Sequence, residues 1–220
     1  SRLYHWRHPN IVGYEGCWIY DNRVYIGMEY CSLGTLKSML KTKERFSEVD
    51  TSFLIRETLK ALQYIHEYGF IHRDIKTANI MLNPNHAVKV IDFGLVVRAS
   101  NNPYNRAGSK AYMAPEVKQQ PYDFKVDIWS VGCVAQELVE GNPPYKEIGL
   151  IKGTFKTATI GAMGLRYPTR VSKEFRDFIS KCFIFDFKER PGCEELLKMP
   201  FFKQAESSPL FKQSKTDPIE

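Results

Sequence analysis

The chain has 220 residues, of which 43% are hydrophobic and 25% are charged, as is ordinary for a globular protein with a full core. Its net charge of +6 is scattered along the sequence rather than grouped, which argues against a nucleic-acid-binding surface. No run of eighteen apolar residues occurs, so we expect no membrane span. The five cysteines form no C-x-x-C pair, which argues against a zinc site or a disulfide scaffold and favours a cytoplasmic protein.

The first predicted elements are a β-hairpin and a short helix. β-Branched and aromatic residues fill positions 11–30 on both sides of the turn Tyr20-Asp21-Asn22-Arg23, a pattern typical of two paired strands. After Gly34 the spacing changes, and a helical face follows at three- and four-residue intervals, formed by Leu36, Met39 and Leu40. A longer amphipathic helix is predicted over 49–68.

Polar residues with a distinctive spacing follow this helix. The segment reads His72-Arg73-Asp74-Ile75-Lys76-Thr77-Ala78-Asn79, and Asp92-Phe93-Gly94 begins thirteen positions after its last residue. Two short apolar strands are predicted between the two motifs, at 80–82 and 88–91. An acid, a lysine and an amide followed by a second acid are the residue types of a phosphoryl-transfer site.

Each of these side chains suits one task in that chemistry. Asp74 can accept the proton of an attacking hydroxyl, and Lys76 can offset charge on the phosphoryl group. Asn79 and Asp92 supply the hard oxygen ligands that Mg²⁺ prefers. Alone, Asp74 would more simply be a surface turn acid and Asp92 a capping or strand-end residue, so the interpretation depends on the whole constellation.

The last third of the chain is predicted to be helical. Apolar residues occur on nearly every side of a helix over 126–139, which indicates a buried central helix, and Gly141-Asn142-Pro143-Pro144 ends it. Residues 204–220 are rich in Ser, Lys and Pro, and we expect them to be a disordered tail.

The two motifs, H-R-D-x-K-x-x-N and D-F-G, resemble those of the protein kinases. The resemblance implies an α+β, protein-kinase-like fold over 1–203. It assigns 1–30 to the hinge and the last strands of the N-lobe, and 31–203 to a complete, mainly helical C-lobe. ATP and Mg²⁺ are the implied cofactors, and protein substrates and ATP are the implied partners.

The resemblance also places the nucleotide. Met28-Glu29-Tyr30-Cys31 is similar to the hinge, where the carbonyl of Glu29 and the amide of Cys31 would bond adenine beside the gatekeeper Met28. Met81 is similar to the residue that packs under the adenine ring, and Asp92 would bind the metal. Plain core packing is the alternative for Met28 and Met81.

The resemblance also indicates residues that would hold the segments of the site in place. Ala114-Pro115-Glu116 is similar to the end of an activation segment, and Glu116 would pair with Arg190. Asp127 would hold the backbone of the His72 turn. The regulatory spine would contain Leu3, Tyr14, His72 and Phe93.

Lys76 and Ser109 resemble the serine/threonine class of kinases, in which the residue at 109 bonds both the catalytic acid and the lysine. Three stretches resemble the mitogen-activated protein kinase kinase kinases, a sterile-type group, whose substrates would be dual-specificity kinase kinases. These stretches are Tyr14-Glu15-Gly16-Cys17, Met28-Glu29-Tyr30-Cys31 with Gly34-Thr35-Leu36, and Asp127 to Cys133. A p21-activated type shares much of this pattern and is the alternative.

Two departures from the family pattern matter. The sequence has no G-x-G-x-x-G, no lysine before Lys37 and no initial methionine, so we expect an N-terminally truncated kinase that is inactive alone; a pseudokinase or interaction module is the alternative. Arg73 would receive an activating phosphate, yet only Ser100 and Tyr104 carry hydroxyls between residues 95 and 107. Either of them accepts the phosphate, or activation proceeds without it.

Overall fold

The structure is a computed structural model that describes residues 6–101, 103, 105, 107–118, 121–162 and 164–214. Predictions for Leu3, Tyr104 and the last six residues lie outside this part. Its elements confirm the expected α+β class, with seven α-helices and seven short strands among the described residues.

The hairpin forms where the sequence predicts it. Strands β1 (Tyr14–Tyr20) and β2 (Arg23–Met28) pair antiparallel. Asp21 and Asn22 both have positive φ, 48° and 55°, which is the backbone of the tight turn that matches strand twist. Strand β2 ends two residues before Tyr30, and the intervening residues lead into the helical part of the chain.

Two helices follow, and each begins at a side-chain cap. Helix α1 (Leu36–Lys43) comes after the two-residue strand β3 (Gly34–Thr35), and the Thr35 hydroxyl accepts a hydrogen bond from the Ser38 N–H. Helix α2 (Glu48–Glu67) begins after Ser47, whose hydroxyl accepts from the Asp50 N–H. Ten residues of α2 are buried, so this helix forms one side of the core.

Short strands carry the chain through the middle of the fold. Strand β5 (Ile80–Leu82) pairs antiparallel with β3 on one side and with β6 (Val88–Val90) on the other. Strand β4 (Phe70–Ile71) pairs with β7 (Val97–Arg98). Strands β4 and β5 flank the first motif, and their partners β7 and β6 flank the second, so these pairings bring both motifs to the same region.

Helix α3 (Lys125–Glu140) is the centre of the core, as its all-round apolar pattern predicts. Thirteen of its residues are buried, and Gly141 ends it with φ of 77°. The remaining helices are α4 (Leu150–Ile160), α5 (Lys173–Cys182), α6 (Cys193–Leu197) and α7 (Pro209–Ser214). None of the described helices is long and apolar enough to cross a membrane.

The expectation of a disordered tail from residue 204 is wrong for residues 204–214. A 3-10 helix (Pro200–Ser207) and α7 cover this stretch. Leu210 is buried, the Phe211 ring lies 5.7 Å from that of Phe53, and the Ser208 hydroxyl donates to Asp50 at 2.7 Å. Composition predicted disorder because this stretch is rich in Ser, Lys and Pro. The contacts that hold it on α2 come from only two apolar residues and one serine.

Candidate active site

The turn that carries Asp74 is held by the central helix. Asp127 of α3 accepts hydrogen bonds from the backbone N–H groups of His72 and Arg73, both at 2.8 Å. Burial raises the pKa of Asp127, but its hydrogen bond with His66 at 2.8 Å and its further interactions with His66 and His72 together lower it by more, so the pKa lies below its ordinary value. The resulting anion fixes the turn, as the resemblance implied.

Asp74 lies at the centre of a hydrogen-bonded group. Its Oδ2 accepts from Lys76 Nζ at 2.6 Å and from Asn79 Nδ2 at 3.0 Å. Its Oδ1 accepts from the Ser109 hydroxyl at 2.8 Å and the Ser109 N–H at 3.0 Å, and Lys76 also donates to the Ser109 hydroxyl at 3.0 Å. The structure therefore brings together four residues that the sequence separates by up to 35 positions.

These contacts set the charge of Asp74. Burial raises its pKa, but hydrogen bonds from Lys76 and Ser109 outweigh burial and hold the pKa below its ordinary value. The carboxylate is therefore ionised at neutral pH and can only accept a hydrogen bond. That is the state in which it can orient a hydroxyl group and take its proton.

Asn79 and Asp92 come from adjacent backbone segments. The Ile91 N–H donates to the Asn79 carbonyl at 3.0 Å, which holds the residue before Asp92 against Asn79. Asp92 is exposed and has a φ of 61°, a conformation that is uncommon outside glycine and typical of constrained sites. Since Asn79 Nδ2 donates to Asp74, the Asn79 amide oxygen remains for a cation.

This donor set fits Mg²⁺ better than a transition metal. No cluster of three or more His, Cys, Asp or Glu residues exists in the described part of the chain. A single amide oxygen and a carboxylate are hard ligands, and Mg²⁺ completes its octahedron with water and substrate phosphates. Asn79 and Asp92 are the residues that would hold it.

A pocket of about 950 Å³ opens beside these groups. Its size is near the upper end for small-molecule sites, and most of its lining is apolar, as expected for a nucleotide base. All five residues that the sequence assigned to nucleotide binding line it, namely Met28, Glu29, Cys31, Met81 and Asp92. The Cys31 N–H has no hydrogen-bond partner among the described residues, so it is available to a ligand.

Three contacts that the sequence did not predict fix the hinge at Glu29. Its carboxylate accepts from Lys89 Nζ at 2.8 Å, Asn83 Nδ2 at 3.0 Å and the Gly13 N–H at 3.1 Å. Burial raises the pKa of Glu29, but these hydrogen bonds together lower it by more. The pKa therefore lies below its ordinary value, and the group remains an anion. Its side chain is thereby anchored by three donors, while its backbone carbonyl accepts a hydrogen bond from Cys31 Sγ at 3.9 Å.

Aromatic rings pack behind the motifs. His72 is fully buried and lies 5.1 Å from the Phe93 ring. Trp6 meets Phe93 edge-on at 5.3 Å and Phe70 at 5.5 Å, a role that was not predicted. Tyr14 begins strand β1. A lone tryptophan near the start of the sequence offered no spacing signal that could have identified it.

The end of the activation segment is anchored in the core. Arg190 is fully buried and binds both carboxylate oxygens of Glu116, at 2.7 and 3.2 Å, as the resemblance implied. The Arg190 guanidinium also lies 5.0 Å from the centre of the Trp129 ring. Earlier in the segment Ser100 is exposed in a 3-10 turn (Ala99–Asn101) and does not contact Arg73.

Comparison with known proteins agrees with this geometry. The family model described as the protein kinase domain matches residues 1–202. The chain is 39% identical over 202 residues to the serine/threonine-protein kinase shk1/pak1 of Schizosaccharomyces pombe, covering 90% of this chain and 30% of that protein. It is also 39% identical to the serine/threonine-protein kinase pakC of Dictyostelium discoideum, with 90% and 43% covered. The probable serine/threonine-protein kinase mkcB of Dictyostelium discoideum is 42% identical, with 91% and 28% covered. The chain thus spans less than half the length of these three relatives.

Proposed function

Because this chain belongs to the protein kinase family, we propose that the protein carrying it transfers the γ-phosphoryl group of ATP to serine or threonine hydroxyls of protein substrates. One observation carries this proposal. An ionised Asp74 shares its two oxygens among Lys76, Asn79 and Ser109. The Asn79 carbonyl accepts a hydrogen bond from the N–H of Ile91, and Ile91 and Asp92 line a pocket of nucleotide size.

Each residue has a role that follows from its contacts. Asp74 accepts the hydrogen bond of the substrate hydroxyl and then its proton. Lys76 lies 2.6 Å from Asp74 and places a positive charge where negative charge is transferred. Asn79 and Asp92 hold Mg²⁺ through oxygen atoms. When bound, ATP would supply the phosphoryl group and Mg²⁺ would neutralise part of its charge.

The hinge orients the base. The Glu29 carbonyl and the Cys31 N–H offer an acceptor and a donor two residues apart, between Met28 and Met81 on the wall of the pocket. Backbone groups suit this task because their geometry is fixed before the ligand arrives, above all where the Glu29 side chain is anchored by Lys89.

The serine/threonine class rests on Ser109 and Lys76. Their mutual contact at 3.0 Å places the Ser109 hydroxyl between the lysine and the catalytic acid. The three relatives reported above also carry the serine/threonine-protein kinase name.

The finer function is one of two. A role as a MAP kinase kinase kinase, with MAP kinase kinases as substrates, is supported by the hinge sequence Met28-Glu29-Tyr30-Cys31. A p21-activated type is supported by the names shk1/pak1 and pakC. Phosphorylation of two substrates separates the two functions. One substrate is an unphosphorylated, catalytically dead MAP kinase kinase, in which phosphate is measured in the activation loop, and the other is a general basic substrate.

We further propose a cytoplasmic location. All five cysteines are free thiols in the structure, and four of them are buried, as expected of a protein that folds under reducing conditions.

A turnover assay tests the proposed function. ATP-dependent phosphorylation of a protein substrate is measured for this chain, for the full-length protein and for its Asp74→Asn variant, which keeps the shape but loses the base. We expect negligible activity for this chain, since its sequence lacks G-x-G-x-x-G, and activity for the full-length protein that Asp74→Asn abolishes. A full-length protein that is also inactive, and that Asp74→Asn leaves unchanged, would instead be a non-catalytic interaction module.

A further inference from the structure

Arg73 is adjacent to the catalytic acid, and the described residues that bind its side chain are all uncharged acceptors. Its Nε donates to the Leu95 carbonyl at 2.6 Å. Its Nη1 donates to the Asn105 amide oxygen at 2.7 Å and to the Tyr122 hydroxyl at 3.2 Å. None of the ion pairs in the described part of the chain includes Arg73.

Asn105 is itself held in place from a second side. The buried Tyr122 hydroxyl donates to the Asn105 carbonyl at 2.8 Å, and the Tyr122 N–H donates to the Pro103 carbonyl at 3.2 Å. Pro103 and Asn105 are therefore tied to the fold by backbone and side-chain contacts that involve no added charge.

The residues that follow continue the same contact along the catalytic turn. Gly108 has a φ of 106° and packs so closely on the Arg73 carbonyl that any Cβ would collide with it. Ser109 then bonds Asp74. Asn105, Gly108 and Ser109 thus lie against two consecutive residues, Arg73 and Asp74, and fix both.

In kinases that are switched by phosphorylation, a phosphorylated hydroxyl pairs with an arginine and orders this loop. This chain has neither serine nor threonine at 105–107, and Ser100 is exposed and does not reach Arg73. The place against Arg73 is taken by an amide oxygen. An arginine N–H bonded to a neutral amide still forms a charge-assisted hydrogen bond.

We infer that Asn105 is a positioning residue that holds Arg73, and with it Asp74, in the active arrangement without phosphorylation of the loop. The inference rests on the proposed kinase function and adds its regulation: the site is assembled by the fold, and control of activity lies outside this loop. Asn105 acts through Arg73 and does not line the nucleotide pocket.

The test uses the full-length protein, treated with a phosphatase until mass spectrometry finds no phosphate between residues 95 and 118. The variants are Asn105→Ala, which removes the acceptor, and Asn105→Asp, which keeps one. Asn101→Ala is the matched control, because Asn101 is exposed in the same loop and its side chain has no hydrogen bond in the described structure. Steady-state kinetics and thermal midpoints are measured for each.

We expect the dephosphorylated wild type and Asn101→Ala to keep full kcat. Asn105→Ala should lower kcat about ten-fold, the worth of one charge-assisted hydrogen bond, with KM for ATP unchanged to within about two-fold. Asn105→Asp should restore kcat even if Asn105→Ala also lowers the thermal midpoint.

Three results would overturn the inference. One is loss of wild-type activity on dephosphorylation, and another is equal activity of Asn105→Ala and Asn101→Ala. Both leave the proposed function standing. The third, a wild type no more active than Asp74→Asn, removes the proposed function and the inference together.

Discussion

Replacing Glu116 by alanine tests whether one buried ion pair holds the activation segment on the helical core. Glu116 is 3% exposed and Arg190 is fully buried, so solvent screens their charges little. After the replacement, Arg190 would keep its bonds to the Ile184 and Lys125 carbonyls, at 3.0 and 2.8 Å, but would lose the only carboxylate that it binds among the described residues.

Removing one partner of a buried pair costs about 3–5 kcal/mol, because the remaining charge is uncompensated. For a domain of this size, each kcal/mol lowers the thermal midpoint by about 2–4 °C, so Glu116→Ala should lower it by roughly 6–20 °C. Differential scanning calorimetry of the purified protein gives this value directly.

Glu194→Ala is the matched control for this experiment. Glu194 pairs with Lys198 at an equally short 2.7 Å, but both side chains are more than 70% exposed. Exposed pairs gain little, so no measurable shift is expected. Equal midpoints for the two variants would refute the argument that burial makes the Glu116 pair essential. The argument would also fail if an apolar double replacement, Glu116→Leu with Arg190→Met, were no more stable than Glu116→Ala.

Three more predictions concern the catalytic turn. Gly108→Ala should lower kcat strongly, because a Cβ there collides with the Arg73 carbonyl at a φ of 106°; the same substitution at the unobstructed Gly192 should leave kcat unchanged, and steady-state kinetics compare the two. Ser109→Ala should lower kcat roughly ten- to hundred-fold through the lost bonds to Asp74, whereas Ser109→Thr should retain it, and similar losses for both would contradict this role. Burial lowers the pKa of His72, so this histidine binds a proton more readily in the unfolded chain than in the folded one. The free energy of unfolding should therefore fall as the pH drops below about 6.5, by at most about 1.4 kcal/mol per pH unit. Urea midpoints between pH 7.5 and 5.5 should show this slope, and His72→Leu should reduce it.

Local patterns were enough to predict the elements that carry the site. Asp21-Asn22 predicts a turn because both residues tolerate positive φ, and the structure has it there. Helix α3 was predicted since apolar residues on all its faces need burial on all sides. Lys76 and Asn79 lie within five residues of Asp74, so spacing placed them near it, whereas Ser109 was placed there only by the resemblance to the serine/threonine kinases.

Contacts between distant segments could not be predicted in the same way. Asn105 is 32 residues from Arg73, in a loop without periodicity. Lys89 is a surface lysine by sequence, yet it is 60 residues from the Glu29 carboxylate that it pairs with. Such contacts depend on how strands and loops pack in the folded chain, and a local sequence pattern does not predict them.

The position of Asp127 joins stability and chemistry in this fold. Its carboxylate is completely buried in α3, and burying an anion is costly unless hydrogen bonds repay the lost hydration. The His72 and Arg73 N–H groups and the His66 ring provide those bonds, and the first two belong to the turn that carries Asp74. The carboxylate thus needs the catalytic turn as much as the turn needs the carboxylate. A substitution that shifts α3 should therefore displace Asp74 and lower kcat while leaving the residues of the nucleotide pocket in place.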